Sequence, residues 1–203
     1  MPDSLIVIRS GATDYEQQGR IRGSLDIPLC PAGVMEAEHA ADVLAGSPPA
    51  AIYCSQSICA QETARIVARA TGLRPRIVPN LENLDQGLWQ GMLVDDIRRK
   101  QPRLARQWLD NPWAVAPPEG ELLEQACERV AGALERIVRR HGPGRVALVV
   151  PDPLDRIVRW IVAAEPLGDL WSRDAIVEPL AEMPLASQWS RGRGVGQRQP
   201  STI

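Results

Sequence analysis

Three short apolar runs, separated by long stretches with helical periodicity, limit the folds that this chain can adopt. The runs cover residues 4–8, 51–54 and 146–150. Residues 146–150 are all apolar, which is typical of a strand buried on both faces of a parallel sheet. Strands that alternate with helices predict an α/β fold. We therefore predict a three-layer α/β/α sandwich with a mostly parallel central sheet.

Helices are predicted between and after these strands from apolar spacing and from glycine and proline signals. One helix begins at Pro31 and ends before the glycine and prolines of 46–49, and another covers 58–70 and ends at the capping residue Gly72. A further short strand is predicted at 76–78. Residues 11–30 and 79–92 show little periodicity and are predicted to be irregular. The other helices are expected at 93–100, 103–109, 121–140 and from Leu154 to about Ala164.

Length and charge favour one domain and exclude several kinds of partner. The chain has 203 residues and a net charge of −2, so no strong field attracts it to nucleic acid or to a membrane surface. No apolar run reaches the roughly 18–20 residues of a membrane helix, and the start lacks the features of a signal peptide. These observations predict a cytoplasmic protein. We place the domain at 1–187 and a flexible tail, rich in glycine and arginine, at 188–203.

The four cysteines do not have the spacing of a metal site. They are predicted to be free thiols, some of them buried as small apolar residues. No metal and no cofactor are expected. The cysteines are Cys30, Cys54, Cys59 and Cys127.

Eight short motifs occur in the order and with the spacing of the histidine phosphatase superfamily, also called phosphoglycerate mutase-like. The resemblance covers about residues 4–171. In the superfamily the first motif is Arg-His-Gly-Glu-Thr after a strand, and the last is Ser-His-Gly-Gly after another strand. The corresponding segments of this chain are 9–13, 19–23, 26–29, 33–37, 54–64, 83–91 and 118–122, followed by 151–154.

The resemblance implies which positions would carry chemistry. Enzymes of the superfamily transfer a phosphoryl group to the first histidine, hold it with two arginines and the second histidine, and protonate the leaving oxygen from a carboxylic acid. By this correspondence the nucleophile becomes Ser10, the second arginine Cys59, the acid Asn83 and the second histidine Asp152. Glu16 replaces an asparagine and adds negative charge. The residues that remain available to bind an anion are Arg9, Thr13 and Arg20.

Four catalytic positions change together, and such a set works as a unit. This predicts a catalytically inactive protein with a binding, scaffolding or regulatory role, acting on a protein partner or as a homodimer. Two alternatives stay open. One is a phosphatase-like hydrolase with altered chemistry that uses Ser10 or an exposed, reactive Cys59. The other is a sensor that binds a small anionic metabolite through Arg9 and Arg20 without turnover.

Several other patterns have ordinary structural explanations. Arg9 is expected to pair with Asp152, Glu16 or Asp85 rather than to hold an anion. Those three acids are weak candidates for a Mg²⁺ or Ca²⁺ site, because their spacing does not favour one. The Cys59-x5-Arg65 spacing of cysteine phosphatases falls on a predicted helix and is attributed to chance. The two histidines, His39 and His141, are predicted to be surface residues.

Overall fold

A computed structural model describes residues 1–172 and 179–185 and contains one five-stranded sheet. The strand order is β3-β2-β4-β1-β5, with β5 antiparallel to β1 and every other pair parallel. The sheet is therefore mixed and mostly parallel. The strands are β1 (Ser4–Arg9), β2 (Ala51–Cys54), β3 (Pro75–Ile77), β4 (Arg145–Val150) and β5 (Leu180–Pro184).

Seven α-helices lie in the described part of the chain, together with one 3₁₀ turn at Gly87–Trp89. The longer helices begin and end close to the positions that the sequence predicts. They are α1 (Asp14–Gln17), α2 (Pro31–Ala45), α3 (Ile58–Thr71), α4 (Val94–Lys100), α5 (Pro102–Asp110), α6 (Leu123–Arg139) and α7 (Leu154–Ala163).

The helices cover both faces of the sheet, because successive side chains of a strand point to opposite faces. Leu5 and Val7 of β1 pack with α6 and α7 in one core, whereas Ile6 and Ile8 pack with α2 and α3 in a second core. Strand β4 is divided in the same way and is almost fully buried. The predicted three-layer sandwich is confirmed.

The strand register brings the carboxyl ends of three strands to one edge of the sheet. Arg9 pairs with Val150, and Cys54 pairs with Val149. The backbone N–H of Ser10 donates to the Val150 carbonyl at 2.8 Å, and that of Ser55 donates to the Val149 carbonyl at 2.9 Å. Residues that follow β1, β2 and β4 therefore meet at this edge, where α/β folds bind ligands.

Two elements differ from the sequence prediction. Residues 14–17 form the single-turn helix α1 within the segment predicted to be irregular, and β5 adds an antiparallel edge strand. A four-residue helix is too short to show periodicity, and β5 lacks β-branched residues. The predicted tail at 188–203 lies outside the described residues. Within the described ranges, no helix is long and apolar enough to cross a membrane.

Candidate active site

Ser10 and Cys59 are in contact at the carboxyl edge of the sheet. Ser10 directly follows β1, and Cys59 lies in the first turn of α3. The Ser10 hydroxyl donates to the Cys59 sulfur, with an Oγ–Sγ distance of 3.5 Å. Ser10 is 5 % exposed and Cys59 is 0 % exposed. The expected exposure of Cys59 is therefore wrong, because its side chain lies beneath Ser10 and a second polar neighbour.

That second neighbour is Arg22, which sequence reasoning had not selected. Its Nη1 donates to the Cys59 sulfur at 2.7 Å, and its Nη2 donates to the Asp152 backbone carbonyl at 3.1 Å. Burial alone lowers the pKa of Arg22, but the fields of Cys59, Glu16 and Asp152 together outweigh burial and raise it. Arg22 thus places a buried cation beside Cys59, the position at which the superfamily has its second arginine.

Glu16 pairs with this cation rather than adding free negative charge. Its Oε1 lies 2.9 Å from Arg22 Nε, in an ion pair that is not aligned as a hydrogen bond. Its Oε2 accepts bonds from both the backbone N–H and the hydroxyl of Thr13, each at 2.6 Å, which closes a capping box at the start of α1. Thr13 is fully buried, and its hydroxyl hydrogen is directed to Glu16.

Asn83 and Asp152 hold the backbone of the site. The Asn83 side-chain amide donates to the carbonyls of Gly23, at 2.8 Å, and Asp152, at 2.9 Å. The Asp152 carboxylate accepts from Arg156 Nε at 3.0 Å. Its charge is therefore compensated within its own helix turn, and the repulsion of phosphate expected from Asp152 is weakened.

Arg9 and Arg20 differ in how far their guanidinium groups are already committed. Arg9 is half-buried and forms no hydrogen bond or ion pair among residues 1–172 and 179–185. The expected pairing of Arg9 with Asp152, Glu16 or Asp85 is wrong. Arg20 donates to Gln18 Oε1 at 3.0 Å and to the Gly91 carbonyl at 2.7 Å. Within the described ranges, the Arg9 guanidinium is therefore the less committed of the two.

An open cleft of about 610 Å³ shares several of these groups, since its lining includes Glu16, Arg20, Arg22 and Asp152. The half-buried ring of Trp171 also lines the cleft and packs edge-on against the buried Trp89 at a ring distance of 5.0 Å. The cleft thus joins polar groups to an apolar wall, as small-molecule sites commonly do.

The remaining candidate residues are not part of this arrangement. His141 bonds to the Tyr53 hydroxyl at 2.7 Å in the connection that precedes β4, at the other end of the strand. His39 is exposed on α2. Arg65 lies on α3 and bonds to Gln61, so Cys59-x5-Arg65 does not form a loop. Asp85 Oδ1 accepts from the Gly87 N–H, and the described residues contain no cluster suited to a metal.

The four cysteines are free and buried, as predicted. Burial raises the pKa of Cys54 to about 11 and that of Cys127 to about 12, against a smaller lowering by nearby arginines. These two thiols are therefore neutral at physiological pH. Cys59 differs from them in its direct contact with a guanidinium.

The fold and the polar edge of the sheet together define an α/β protein of the phosphoglycerate mutase type. A model of the histidine phosphatase superfamily (branch 1) matches residues 5–174, and the chain belongs to this superfamily.

Several relatives that resemble the chain are named as phosphatases. Phosphoserine phosphatase 1 of Hydrogenobacter thermophilus is 30 % identical over 168 residues, which cover 83 % of this chain and 80 % of that protein. Glucosyl-3-phosphoglycerate phosphatase of Mycobacterium tuberculosis is 35 % identical over 118 residues, and the match spans 58 % of this chain and 52 % of that protein. The solved structure of a mycobacterial glucosyl-3-phosphoglycerate phosphatase with VO3 is 27 % identical, with a TM-score of 0.74 over 83 % of this chain and 86 % of that one.

These relatives overturn the prediction of an inactive scaffolding or protein-binding pseudoenzyme. The physical error lay in counting charges position by position. The comparison gives Arg22 no role and assigns Glu16 and Asp152 the wrong partner, because their arginine partners are Arg22 and Arg156. Arg22 lies in the motif of residues 19–23 at a variable position, and only the fold brings it to Cys59.

Proposed function

We propose that the protein is a phosphomonoester phosphatase that works without the two histidines of its superfamily, with Ser10 and Asp152 at their positions. The observation that carries the proposal is that Ser10 and Arg22 both donate to one sulfur, that of Cys59, at the carboxyl edge of the sheet. The phosphatase relatives that match over most of the chain support this class of reaction. We infer a cytoplasmic location from the sequence.

The phosphate is held by the guanidinium groups around the cleft. Arg9 has no hydrogen-bond acceptor among residues 1–172 and 179–185, and Arg20 borders the cleft. Guanidinium groups bind phosphate oxygens through paired N–H donors that keep their charge at every physiological pH. Because Glu16 and Asp152 are paired with other arginines, their charges oppose an incoming anion only weakly.

Ser10 is the nucleophile in this proposal, and Cys59 accepts its proton. The serine Oγ forms a bond to phosphorus while the bond from phosphorus to the leaving oxygen breaks. The hydroxyl proton passes to the Cys59 sulfur, to which the Ser10 hydroxyl and Arg22 Nη1 both donate. Water then forms a bond to phosphorus while the bond from phosphorus to the Ser10 Oγ breaks. Cys59 returns its proton to the serine oxygen, and the proton lost by the water stays on the released phosphate. Direct attack by Cys59 is disfavoured because its sulfur is fully buried.

The proposal is tested by the release of inorganic phosphate from phosphoserine and from an aryl phosphate. Asn83 is no proton donor of the carboxylic-acid kind, so the leaving oxygen takes its proton from water. We therefore expect the aryl ester, whose leaving group is weakly basic, to react faster. Absence of phosphate release from both esters between about pH 5 and pH 8 would refute the proposal.

Cys59→Ala is expected to lower kcat for both esters by about 10²-fold, because the serine proton loses its acceptor. Cys127→Ala is the matched control, since Cys127 is a buried thiol on α6, within the core rather than at the cleft. Steady-state kinetics of the two variants make the comparison. Equal loss of kcat in both would indicate a general effect on folding, and no role for the Cys59 sulfur.

Arg22→Lys is expected to lower kcat/KM by about 10²-fold although the charge is kept. A lysine ammonium cannot contact Cys59, Glu16 and the Asp152 carbonyl at once, as the Arg22 guanidinium does. Arg69→Lys, an exposed change on α3, should leave kcat/KM unaltered. Full activity of Arg22→Lys would show that the guanidinium fork is not required.

A further inference from the structure

Asp155 is a buried carboxyl group that the proposed reaction does not use. It lies in the first turn of α7, three residues after Asp152, and is 0 % exposed. Neither of its oxygens has a hydrogen-bond partner. Its ion pair with Arg159 is long, with 3.9 Å between Oδ2 and Nε. A buried carboxylate without hydrogen bonds is costly, so the protonated form is favoured.

Four charged side chains of the described residues act on Asp155. They are Arg9 from β1, Asp152 from the connection after β4, and Arg156 and Arg159 from α7. Burial and then the negative charge of Asp152 raise the pKa of Asp155 to about 7, against the opposite effects of the three arginines. Burial without a hydrogen bond thus favours the neutral acid, and the nearby arginines oppose it.

Of these cations, Arg156 is already committed. Its guanidinium donates to Asp152 at 3.0 Å and to the backbone carbonyls of Asp169 and Ser172 at 2.7 and 2.6 Å. Arg159 also lies 3.9 Å from Glu165. Arg9 makes no such bond among the described residues. By strand alternation it lies on the same face of β1 as Leu5 and Val7, the face that packs against α6 and α7, and its positive field acts on Asp155.

We infer that Asp155 couples proton binding to anion binding through Arg9. An anion at Arg9 offsets the positive field that favours the Asp155 carboxylate, so Asp155 takes up a proton when the anion binds. By reciprocity, loss of that proton weakens anion binding. The inference rests on the proposed function only in placing the anion at Arg9.

The direction of the pH effect follows from these charges. Below the pKa of Asp155 the group is neutral, and the field of Arg9 is available to the anion. As the pH rises through about 7, Asp155 becomes negative and the anion dissociates more readily. The protein would thus hold phosphate-like anions more tightly under slightly acidic conditions.

Calorimetric binding of sulfate tests the coupling, because sulfate stays a dianion throughout the relevant range. At about pH 7.5, titrations in buffers with different ionisation enthalpies should show uptake of roughly half a proton per sulfate. The sulfate Kd should rise about five- to tenfold between about pH 6 and pH 8.5. Asp155→Asn, which resembles the neutral acid, should remove both effects and keep the tighter binding at high pH.

Asp95→Asn is the matched control, since Asp95 is a solvent-exposed carboxylate on α4, and it should retain the proton uptake. A binding enthalpy for sulfate that does not depend on the buffer would overturn the inference. Failure of the wild-type protein to bind sulfate would also overturn it. The wild-type result decides even where Asp155→Asn does not fold. Phosphoserine hydrolysis by the same preparation is measured separately, so the coupling can fail while the phosphatase proposal stands.

Discussion

Ser10→Ala is expected to lower kcat/KM for phosphoserine by about 10³-fold or more, which is a typical loss for an enzyme whose nucleophile is removed. The serine oxygen is the group that forms the bond to phosphorus, and alanine offers no replacement. The contact with the Cys59 sulfur disappears in the same variant. Phosphate release at saturating and at low substrate concentrations would separate loss of kcat from loss of binding.

Ser4→Ala is the matched control for this prediction. Ser4 is also buried and lies on β1, but at the opposite end of the strand, where it donates to Glu182. It should lose some stability and keep its kinetics. If Ser10→Ala retained activity within about threefold of wild type, the nucleophile would have to be another group, and Cys59 would be tested next.

Most of the fold can be predicted from the sequence because it depends on local patterns. The apolar runs that become β1, β2 and β4 and the capped helices α2 and α3 all carry signals within a few residues. Strand β5 has no such signal: its pairing with β1 is fixed by contacts between distant parts of the chain. Helix α1 depends on the capping pair of Thr13 and Glu16, a pattern that is present but short.

The site is harder to predict from the sequence than the fold, because its charged side chains make contacts with distant parts of the chain. Motif spacing identifies positions at the carboxyl edge of the sheet, where Ser10 contacts Cys59 and Asn83 bonds to the Asp152 carbonyl. It does not give the partners of charged side chains. Arg22 lies within a motif but at a position to which the resemblance gives no role, and Arg156 follows the last motif, yet both pair with acids of the site.

The backbone on which Ser10 is placed depends on a close approach between two glycines. A Cβ atom on Gly33 would collide with the carbonyl oxygen of Ala12, and one on Gly11 would collide with the carbonyl oxygen of Gly33. The Ala12 backbone is fixed on both sides, since its N–H donates to Glu36 and its carbonyl accepts from Cys30. Neither segment can therefore move away cheaply.

Gly33→Ala is accordingly expected to lower the free energy of unfolding by about 3 kcal/mol or more, at the upper end of overpacking effects. For a chain of this size the loss corresponds to a fall in Tm of roughly 6–12 °C. Gly46→Ala is the matched control at the end of the same helix, where φ is −70° and nothing lies within 4 Å of the added carbon. It should change stability by less than about 1 kcal/mol, or stabilise. Thermal unfolding of both variants measures these changes in stability. Helix propensity alone predicts that Gly33→Ala raises Tm. If it did so, the contact between α2 and the segment after β1 would not constrain the site.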